Sequence, residues 1–287
     1  MRITSRMILE DVLRGLQGRV ESLRNANEEV ATGRRIRRSS DEPIDASWIM
    51  SLDAHLRASE RYQRSATNAK TRLSTEEAAL RAVESLMRRA KGLAIEMNAA
   101  TDAPTRATAL EEVREIRAEV ISLGNSRLMG EYILAGTRTD TPAFQADGTY
   151  VGDSQVRYAE IDSGIRLETN HTGDEYLSGA LDSLGVLVQQ LESGSFDAMA
   201  ETLHGLDRAQ EGIRIAEGET AARIQQVVDT EQRLADASAD LLDRKQALRD
   251  ADPAESLAKL SVAQTALEQA YAVVGRVLSV NITDYLR

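Results

Sequence analysis

The chain of 287 residues has no cysteine, and this absence removes several chemistries at once. Disulfide bonds, thiolate nucleophiles and zinc sites with thiolate ligands are all excluded. Proline occurs only four times, and aromatic residues make up 3% of the chain, with Trp48 as the single tryptophan. Few prolines permit long helices, because a proline inside a helix removes a hydrogen bond and kinks it. Few aromatic residues predict thin aliphatic cores, so the composition indicates a helical, elongated protein.

Three further absences limit the partners and the location of the protein. The formal net charge of −11 offers no basic face to a nucleic acid. No apolar run is long enough to span a bilayer, and we therefore expect no membrane insertion. The first residues lack the apolar core of a cleaved signal peptide, so we expect any export to proceed without one.

The first and the last segments each carry a heptad pattern. In both, apolar residues alternate steps of three and four, which is typical of a coiled-coil seam that needs a partner helix. The N-terminal seam is Leu9, Leu13, Leu16, Val20, Leu23, Asn27 and Val30. The C-terminal seam is Leu257, Leu260, Gln264, Leu267, Tyr271, Val274 and Leu278. These are the candidate subunit-interface residues; the alternative is that both helices pack on the body of a globular domain.

Each seam contains one amide side chain. A polar residue at a core position costs stability but fixes the register of a coiled coil. If the two terminal helices are antiparallel, Asn27 and Gln264 lie at similar distances from the chain ends. We therefore expect these two side chains to face each other.

The segment after the first seam carries the only dense basic patch of the chain. It contains Arg34, Arg35, Arg37 and Arg38, followed by Asp41. Two interpretations remain open. The segment is either a solvated loop or an inter-subunit contact that meets an acidic neighbouring subunit.

The middle of the chain predicts long helices on either side of a short β-rich segment. A helical pattern runs from Pro43 to about residue 100, with a capping-box signal at Ser74 that allows a break, and a second helix runs to about Tyr132. Residues 135–180 are rich in Gly, Thr, Asp and Tyr, with hairpin-type turns at 147–148 and 163–164. Helical patterns resume at residue 181.

These patterns predict a mainly α fold, an elongated rod of long helices with terminal coiled-coil helices and a small β-rich insertion. We expect three parts. Residues 1–40 with 254–287 form the terminal coiled coil, residues 41–134 with 181–253 form a rod of long helices, and residues 135–180 form an outer head.

A search for catalytic chemistry finds none. The three histidines, His55, His171 and His204, lie far apart in the sequence, and their spacing does not suit a metal pair on one helix. Glu111, Glu112 and Glu115 lie close together, but on a strongly charged helix they indicate a solvated face. No phosphate-binding loop, nucleophile elbow or metalloprotease motif occurs. We expect no catalytic residue, cofactor or metal, and therefore no enzyme.

Several short motifs resemble one known family. Residues 31–36 read Ala-Thr-Gly-Arg-Arg-Ile and residues 40–43 read Ser-Asp-Glu-Pro. Further motifs are Gly-Glu-Tyr-Ile-Leu-Ala-Gly at 130–136, Pro-Ala-Phe at 142–144, Tyr-Val-Gly-Asp at 150–153, Asn-His-Thr-Gly at 170–173 and the closing stretch at 278–287. Together, and in this order, they resemble the bacterial flagellin superfamily. The proline after the acidic pair resembles hook-associated protein 3 more than flagellin. Leu134 and Glu42 depart from the usual Phe and Asp.

The resemblance implies a structural role in the flagellum. The terminal helices would form an inner tube of coiled coils, the long helices the next shell, and the β-rich insertion the outer face. The protein would leave the cell through the flagellar type III channel, after release from an export chaperone. It would then form an extracellular ring of copies at the hook–filament junction, between hook-associated protein 1 and flagellin. The alternatives are a short flagellin and, from a different class, a cytoplasmic coiled-coil adaptor.

Overall fold

A computed structural model of the chain describes residues 5–99 and 102–285, which contain seven helices and four short strands. The helices are α1 Ser5–Thr32, α2 Pro43–Ala99, α3 Ala103–Gly124, α4 Gly173–Tyr176, α5 Ser178–Ser193, α6 Met199–Arg249 and α7 Pro253–Tyr285. The strands are β1 Arg127–Leu128, β2 Glu131–Tyr132, β3 Tyr158–Asp162 and β4 Ile165–Glu168. The predicted mainly α fold, with long helices and a small β-rich insertion, is confirmed. Within the described residues, no helix has the length and apolar character that a bilayer crossing needs.

Helix α2 is continuous, and the break that Ser74 allowed does not occur. Leu73, Leu80 and Met87 are spaced by seven residues and are all buried, while Ser74 is exposed. Because residues seven apart share one helix face, the unbroken helix keeps this apolar row against the core.

Helix α3 ends at Gly124, and the prediction that it continues to about Tyr132 is wrong. The reason is that the side chain of the next residue, Asn125, hydrogen-bonds the backbone of Phe144. The Asn125 amide donates to the carbonyl oxygen of Phe144 and accepts from its N–H, both at 2.9 Å. The chain then turns into the hairpin of β1 and β2, in which Leu128 pairs with Glu131.

Strands β3 and β4 form the second antiparallel hairpin. Asp162 pairs with Ile165, so Ser163 and Gly164 form the turn, as the sequence predicted. Ile161 and Leu167 point from this hairpin into a small core that also includes Ala66, Ala69, Leu73 and Val227. The hairpin is thereby packed against α2 and α6.

The chain divides into two compact units, residues 1–57 with 238–287 and residues 58–237. Helices α2 and α6 contribute residues to both units. The second unit holds the main core, built from α2, α3, α5, α6 and the segment that follows β2. The three-part division into residues 1–40 with 254–287, 41–134 with 181–253, and 135–180 stays a prediction.

Candidate assembly surface

The two terminal helices, α1 and α7, pack against each other; we refer to them as the terminal pair. Near the end of α1, Glu29 accepts hydrogen bonds from Ser256 at 3.0 Å and Lys259 at 3.2 Å, both near the start of α7. Earlier in α1, Arg19 lines the same groove as Ala266, which lies further along α7. The two helices are therefore antiparallel.

Each predicted seam is split between two surfaces. Half of its described residues are half-buried in the terminal pair: Leu16, Leu23 and Val30 in α1, and Leu260, Leu267 and Val274 in α7. The other half is exposed and forms what we name the exposed row: Leu13, Val20 and Asn27 in α1, and Leu257, Gln264 and Tyr271 in α7. The side chains of Leu9 and Leu278 lie outside the described residues.

The members of the exposed row lie on one side of the terminal pair. Every one of them precedes a half-buried seam residue of its own helix by three positions. Three positions are a little less than one turn, so each member lies beside the contact face, displaced in the same rotational sense about its own helix axis. Because the helices run in opposite directions, equal rotations bring both halves of the row to the same side. The exposed fractions of Val20, Leu257 and Tyr271 are 46%, 56% and 55%, so this side carries a band of uncovered apolar surface.

Asn27 and Gln264 are both exposed and belong to the exposed row. That they face each other stays a prediction. A polar contact across the terminal pair is made by Glu29 with Ser256 and Lys259.

The arginine segment is partly occupied by contacts within the chain. Arg35 donates to Glu42 at 2.6 Å, to Asp45 at 2.9 Å and to the carbonyl oxygen of Leu248 at 2.8 Å. The hydrogen bond to Asp45, together with Glu42, raises the pKa of Arg35 despite some burial. Arg35 therefore ties the segment to α2 and to the end of α6.

The other four residues of the segment are two that make further contacts within the chain, Arg37 and Asp41, and two exposed cations. Arg37 pairs with Glu28 of α1. The Asp41 carboxylate accepts the backbone N–H groups of Arg38 at 2.9 Å and Arg37 at 3.2 Å, and these bonds lower its pKa. Arg34 and Arg38 are exposed. No carboxylate pairs with either side chain among the described residues, so these two are the candidates for a contact with another subunit.

In the second unit, hydrogen bonds join the short motifs of the β-rich insertion to one another. The Tyr150 hydroxyl donates to the carbonyl oxygens of Asp153 at 2.8 Å and Leu134 at 3.2 Å. Burial first, and the nearby Asp153 next, raise the pKa of Tyr150 to about 12. The Asp153 carboxylate accepts the backbone N–H of Thr137 at 2.8 Å and its hydroxyl at 2.6 Å. The Tyr-Val-Gly-Asp motif therefore fixes the backbone just after β2, from Leu134 to Thr137, by hydrogen bonds.

Phe144 joins the remaining motifs. Its ring is buried and meets Tyr150 edge to face, with ring centroids 5.3 Å apart. Gly173, from the Asn-His-Thr-Gly motif, lies so close that an added Cβ would stand 2.6 Å from the ring. We name Leu134, Gly136, Phe144, Tyr150, Asp153 and Gly173 the motif cluster. Its contacts are those of a folded core, since they bury one another.

Sequence reasoning treated His171 as an isolated residue, and the structure places it in a buried polar site. Its Nδ1 bonds Glu76 of α2, and its Nε2 lies 3.1 Å from Glu219 Oε2 of α6. Burial lowers the pKa of His171, but the hydrogen bond and charge of Glu76 outweigh it, so the pKa is raised. Glu76 and Glu219 are 143 residues apart in sequence, so no local sequence pattern could predict the site. Within the described residues, no group of three acidic or histidine side chains could hold a metal ion.

Comparison with known proteins agrees with this architecture. Residues 3–139 match the family model of the bacterial flagellin N-terminal helical region. Over 178 residues the chain is 27% identical to flagellar hook-associated protein 3 of Escherichia coli strain K12, covering 61% of this chain and 56% of that protein. It is 29% identical over 176 residues to flagellar hook-associated protein 3 of Salmonella typhimurium strain LT2, covering 60% and 56%. The chain thus spans little more than half of the curated relatives it matches.

A solved structure extends the likeness in fold. A protein of Vibrio parahaemolyticus, described as a flagellar hook-associated protein, superposes with a TM-score of 0.67 at 22% identity, covering 72% of this chain and 99% of that one. The resemblance to hook-associated protein 3 within the flagellin superfamily, first inferred from short motifs, is confirmed.

Proposed function

We propose that this chain is a structural component of the bacterial flagellum, a hook–filament junction protein rather than an enzyme. In this role a ring of its copies links hook-associated protein 1 to flagellin and nucleates the filament. The observation that carries the proposal is the exposed row of the terminal pair. Half of a regular heptad seam is satisfied within the chain, and the other half requires a helix from another molecule.

The exposed row leaves apolar surface uncovered in the free chain. Burying apolar surface stabilises by about 25 cal/mol per Å², and the exposed row gains none of this in the free chain. Contiguous exposed apolar surface on a soluble protein marks an interaction site. A subunit that associates through the exposed row would gain that burial only in the assembly. Arg34 and Arg38 are placed to meet acidic groups of the adjoining subunit, which is the second part of the proposal.

Location and export follow from the same role. We propose that the protein leaves the cell through the type III channel, without a cleaved signal peptide and after release from a chaperone. It would then act outside the cell at the tip of the hook. The relatives named flagellar hook-associated protein 3 support this role.

The proposal is tested by a double variant of the exposed row, Val20→Ser with Tyr271→Ser, expressed in the source bacterium with its own gene deleted. We expect a normally folded chain, since both side chains are exposed, but hooks without filaments and flagellin shed into the medium. The matched control is Val262→Ser, which is 69% exposed but lies in the groove on the other side of the terminal pair.

The deletion strain without any complementing gene separates the alternatives. Shed flagellin on intact hooks supports a junction protein. Hooks with little flagellin anywhere would instead identify a short flagellin that forms the filament itself. Unchanged filaments in the deletion strain would contradict both roles and favour a cytoplasmic adaptor.

A further inference from the structure

The turn of the β1–β2 hairpin has an unexpected residue at its tip. Leu128 pairs with Glu131, so Met129 and Gly130 form a two-residue turn, with φ angles of 53° and 90°. Such turns favour Asn or Gly, because both central residues adopt the left-handed conformation. Met129 is the one non-glycine residue with positive φ in the described chain, and its side chain is 89% exposed. A large apolar side chain is therefore held in solvent at a conformational cost.

Beside this tip lies a pocket of about 320 Å³ between α2, the β1–β2 hairpin and β3. Arg72 from α2 and Arg157 from the segment before β3 both bind the same oxygen of Glu131, at 3.2 Å and 2.7 Å. Tyr158 also lines the pocket and is 59% exposed. The pocket therefore has an apolar rim, formed by Met129 and Tyr158, over a floor of two guanidinium groups.

The floor carries an excess of positive charge. Two cations share one carboxylate, in a chain whose net charge is −11. Arg72 is buried, and its Nε has no hydrogen-bond partner in the described structure. Burial first, and the nearby Arg157 next, lower the pKa of Arg72, while the hydrogen bond and charge of Glu131 raise it. Glu76 also raises this pKa but is hydrogen-bonded to His171.

We propose that this pocket, with Met129 as an apolar anchor, docks the acidic face of a second copy of the chain. Helix α3 supplies such a face: Glu111, Glu115 and Glu119 are exposed at every fourth position. Of these, Glu115 and Glu119 form no ion pair within the described residues. A contact between two different patches of identical subunits is heterologous, and it forms a closed ring when the rotation between neighbours closes. The inference rests on the proposed assembly of copies and adds a second contact to the one made by the terminal pair.

The first test exploits the strain of the turn. The variant Met129→Asn places a favoured residue in the left-handed position, so we expect the melting temperature of the free chain to rise by about 1–4 °C. The same variant removes the anchor. We expect its Kd for self-association, measured by sedimentation velocity at increasing concentration, to be about tenfold higher. A better-folded chain that associates less well cannot be explained by loss of structure.

The charge on the floor is tested by Arg157→Gln in the same assay. This variant is expected to weaken self-association and to reduce its dependence on salt, because one of the two guanidinium groups is lost. A salt dependence equal to that of the unaltered chain would contradict the role given to the pocket.

A third test, by cross-linking, identifies the partner. Because the chain has no cysteine, Met129→Cys provides a single thiol for a maleimide–diazirine cross-linker in isolated flagella. We expect cross-links to a second copy, at peptides that contain Glu115 or Glu119. Ile215→Cys, at an exposed site of the same unit away from the pocket, is the matched control. Cross-links from position 129 to hook-associated protein 1 or flagellin alone would overturn the choice of partner.

The two proposals fail in different ways. If Val20→Ser with Tyr271→Ser abolishes self-association while Met129→Asn leaves it unchanged, the pocket inference is wrong and the proposed function stands. If Met129→Cys supports filaments but does not cross-link to a second copy in flagella, the pocket inference is wrong and the proposed function stands.

Discussion

The terminal pair and the motif cluster both contain large apolar side chains, but these are exposed in the first region and buried in the second. In the motif cluster, Leu134 and Phe144 are almost fully buried, and the polar groups around them are hydrogen-bonded within the chain. In the terminal pair, Leu257 and Tyr271 are more than half exposed, and few side chains are fully buried. Apolar content therefore does not tell which region is complete by itself. The number of elements that surround each residue decides this.

Under the proposed assembly, this difference would let one chain be a stable subunit and still gain burial from its neighbours. The second unit surrounds its apolar side chains with helices on several sides, and they gain their burial before any assembly. The terminal pair has two helices only, so each helix can cover a single face of the other. Order in the terminal pair should therefore increase on assembly, whereas the motif cluster should be the same in the free and the assembled chain.

The largest expected effect concerns the completeness of the motif cluster, and it is tested by a matched pair of glycines. Gly136 and Gly164 have φ angles of 73° and 74°. An added Cβ at Gly164 meets open space, whereas at Gly136 it overlaps the backbone carbonyl of Asp153. Gly164→Ala should cost about 1–2 kcal/mol for the left-handed conformation alone. Gly136→Ala should cost about 1–3 kcal/mol more, because it also overpacks the core.

Both variants are compared by urea unfolding of the full chain, followed at the tyrosines of the insertion. Equal losses of unfolding free energy would show that the motif cluster yields at Asp153 and is not tightly packed.

The next largest expected effect is a pH dependence of the unfolding free energy that the second unit has and the terminal pair lacks. The raised pKa of His171 means that the folded state binds its proton more tightly than the unfolded state. The stability that this proton contributes is fully present below the unfolded pKa of about 6.5 and is lost as the pH rises through the folded pKa. We therefore expect the unfolding free energy of the second unit to decrease with rising pH in this range, while that of the terminal pair stays level.

The variant His171→Gln serves as the reference, since its side chain does not titrate. The difference between the two proteins, measured by hydrogen exchange at a series of pH values, should shrink as the pH rises. His55 and His204 are exposed, which leaves His171 as the buried histidine. A difference that is constant across the series would mean that the folded and unfolded states bind the His171 proton equally, and it would contradict the prediction.

The smallest expected effect lies in the terminal pair. Ser256 is 2% exposed, and its hydroxyl donates to Glu29 across the pair. Ser256→Ala removes one hydrogen bond and leaves Glu29 bound to Lys259, so the pair should lose about 0.5–1.5 kcal/mol. Thr265→Ala is the control, because its hydroxyl bonds only the carbonyl oxygen of Ser261 within α7. Amide exchange in α1 measures both variants. Equal exchange rates would indicate that the hydrogen bond from Ser256 to Glu29 does not stabilise the terminal pair.

Local patterns predicted the helices well but not every boundary. The heptads of α1 and α7 and the turn at Ser163–Gly164 depend on neighbours in sequence, and the structure contains these elements. The end of α3 could not be predicted in this way, because Asn125 stops the helix by binding Phe144, 19 residues later. The capping-box signal at Ser74 allowed a break, and none occurs, because buried positions on both sides keep α2 in one piece.

The sequence by itself determined the class of fold and the resemblance to hook-associated protein 3, because helix periodicity and short motifs are local properties. Only the tertiary structure decided how each seam is divided between an internal contact and an exposed row. It alone brought His171 to Glu76 and Glu219, and Arg72 and Arg157 to one carboxylate beneath Met129. Such juxtapositions join residues far apart in sequence, and they are fixed by packing among helices that no local pattern specifies.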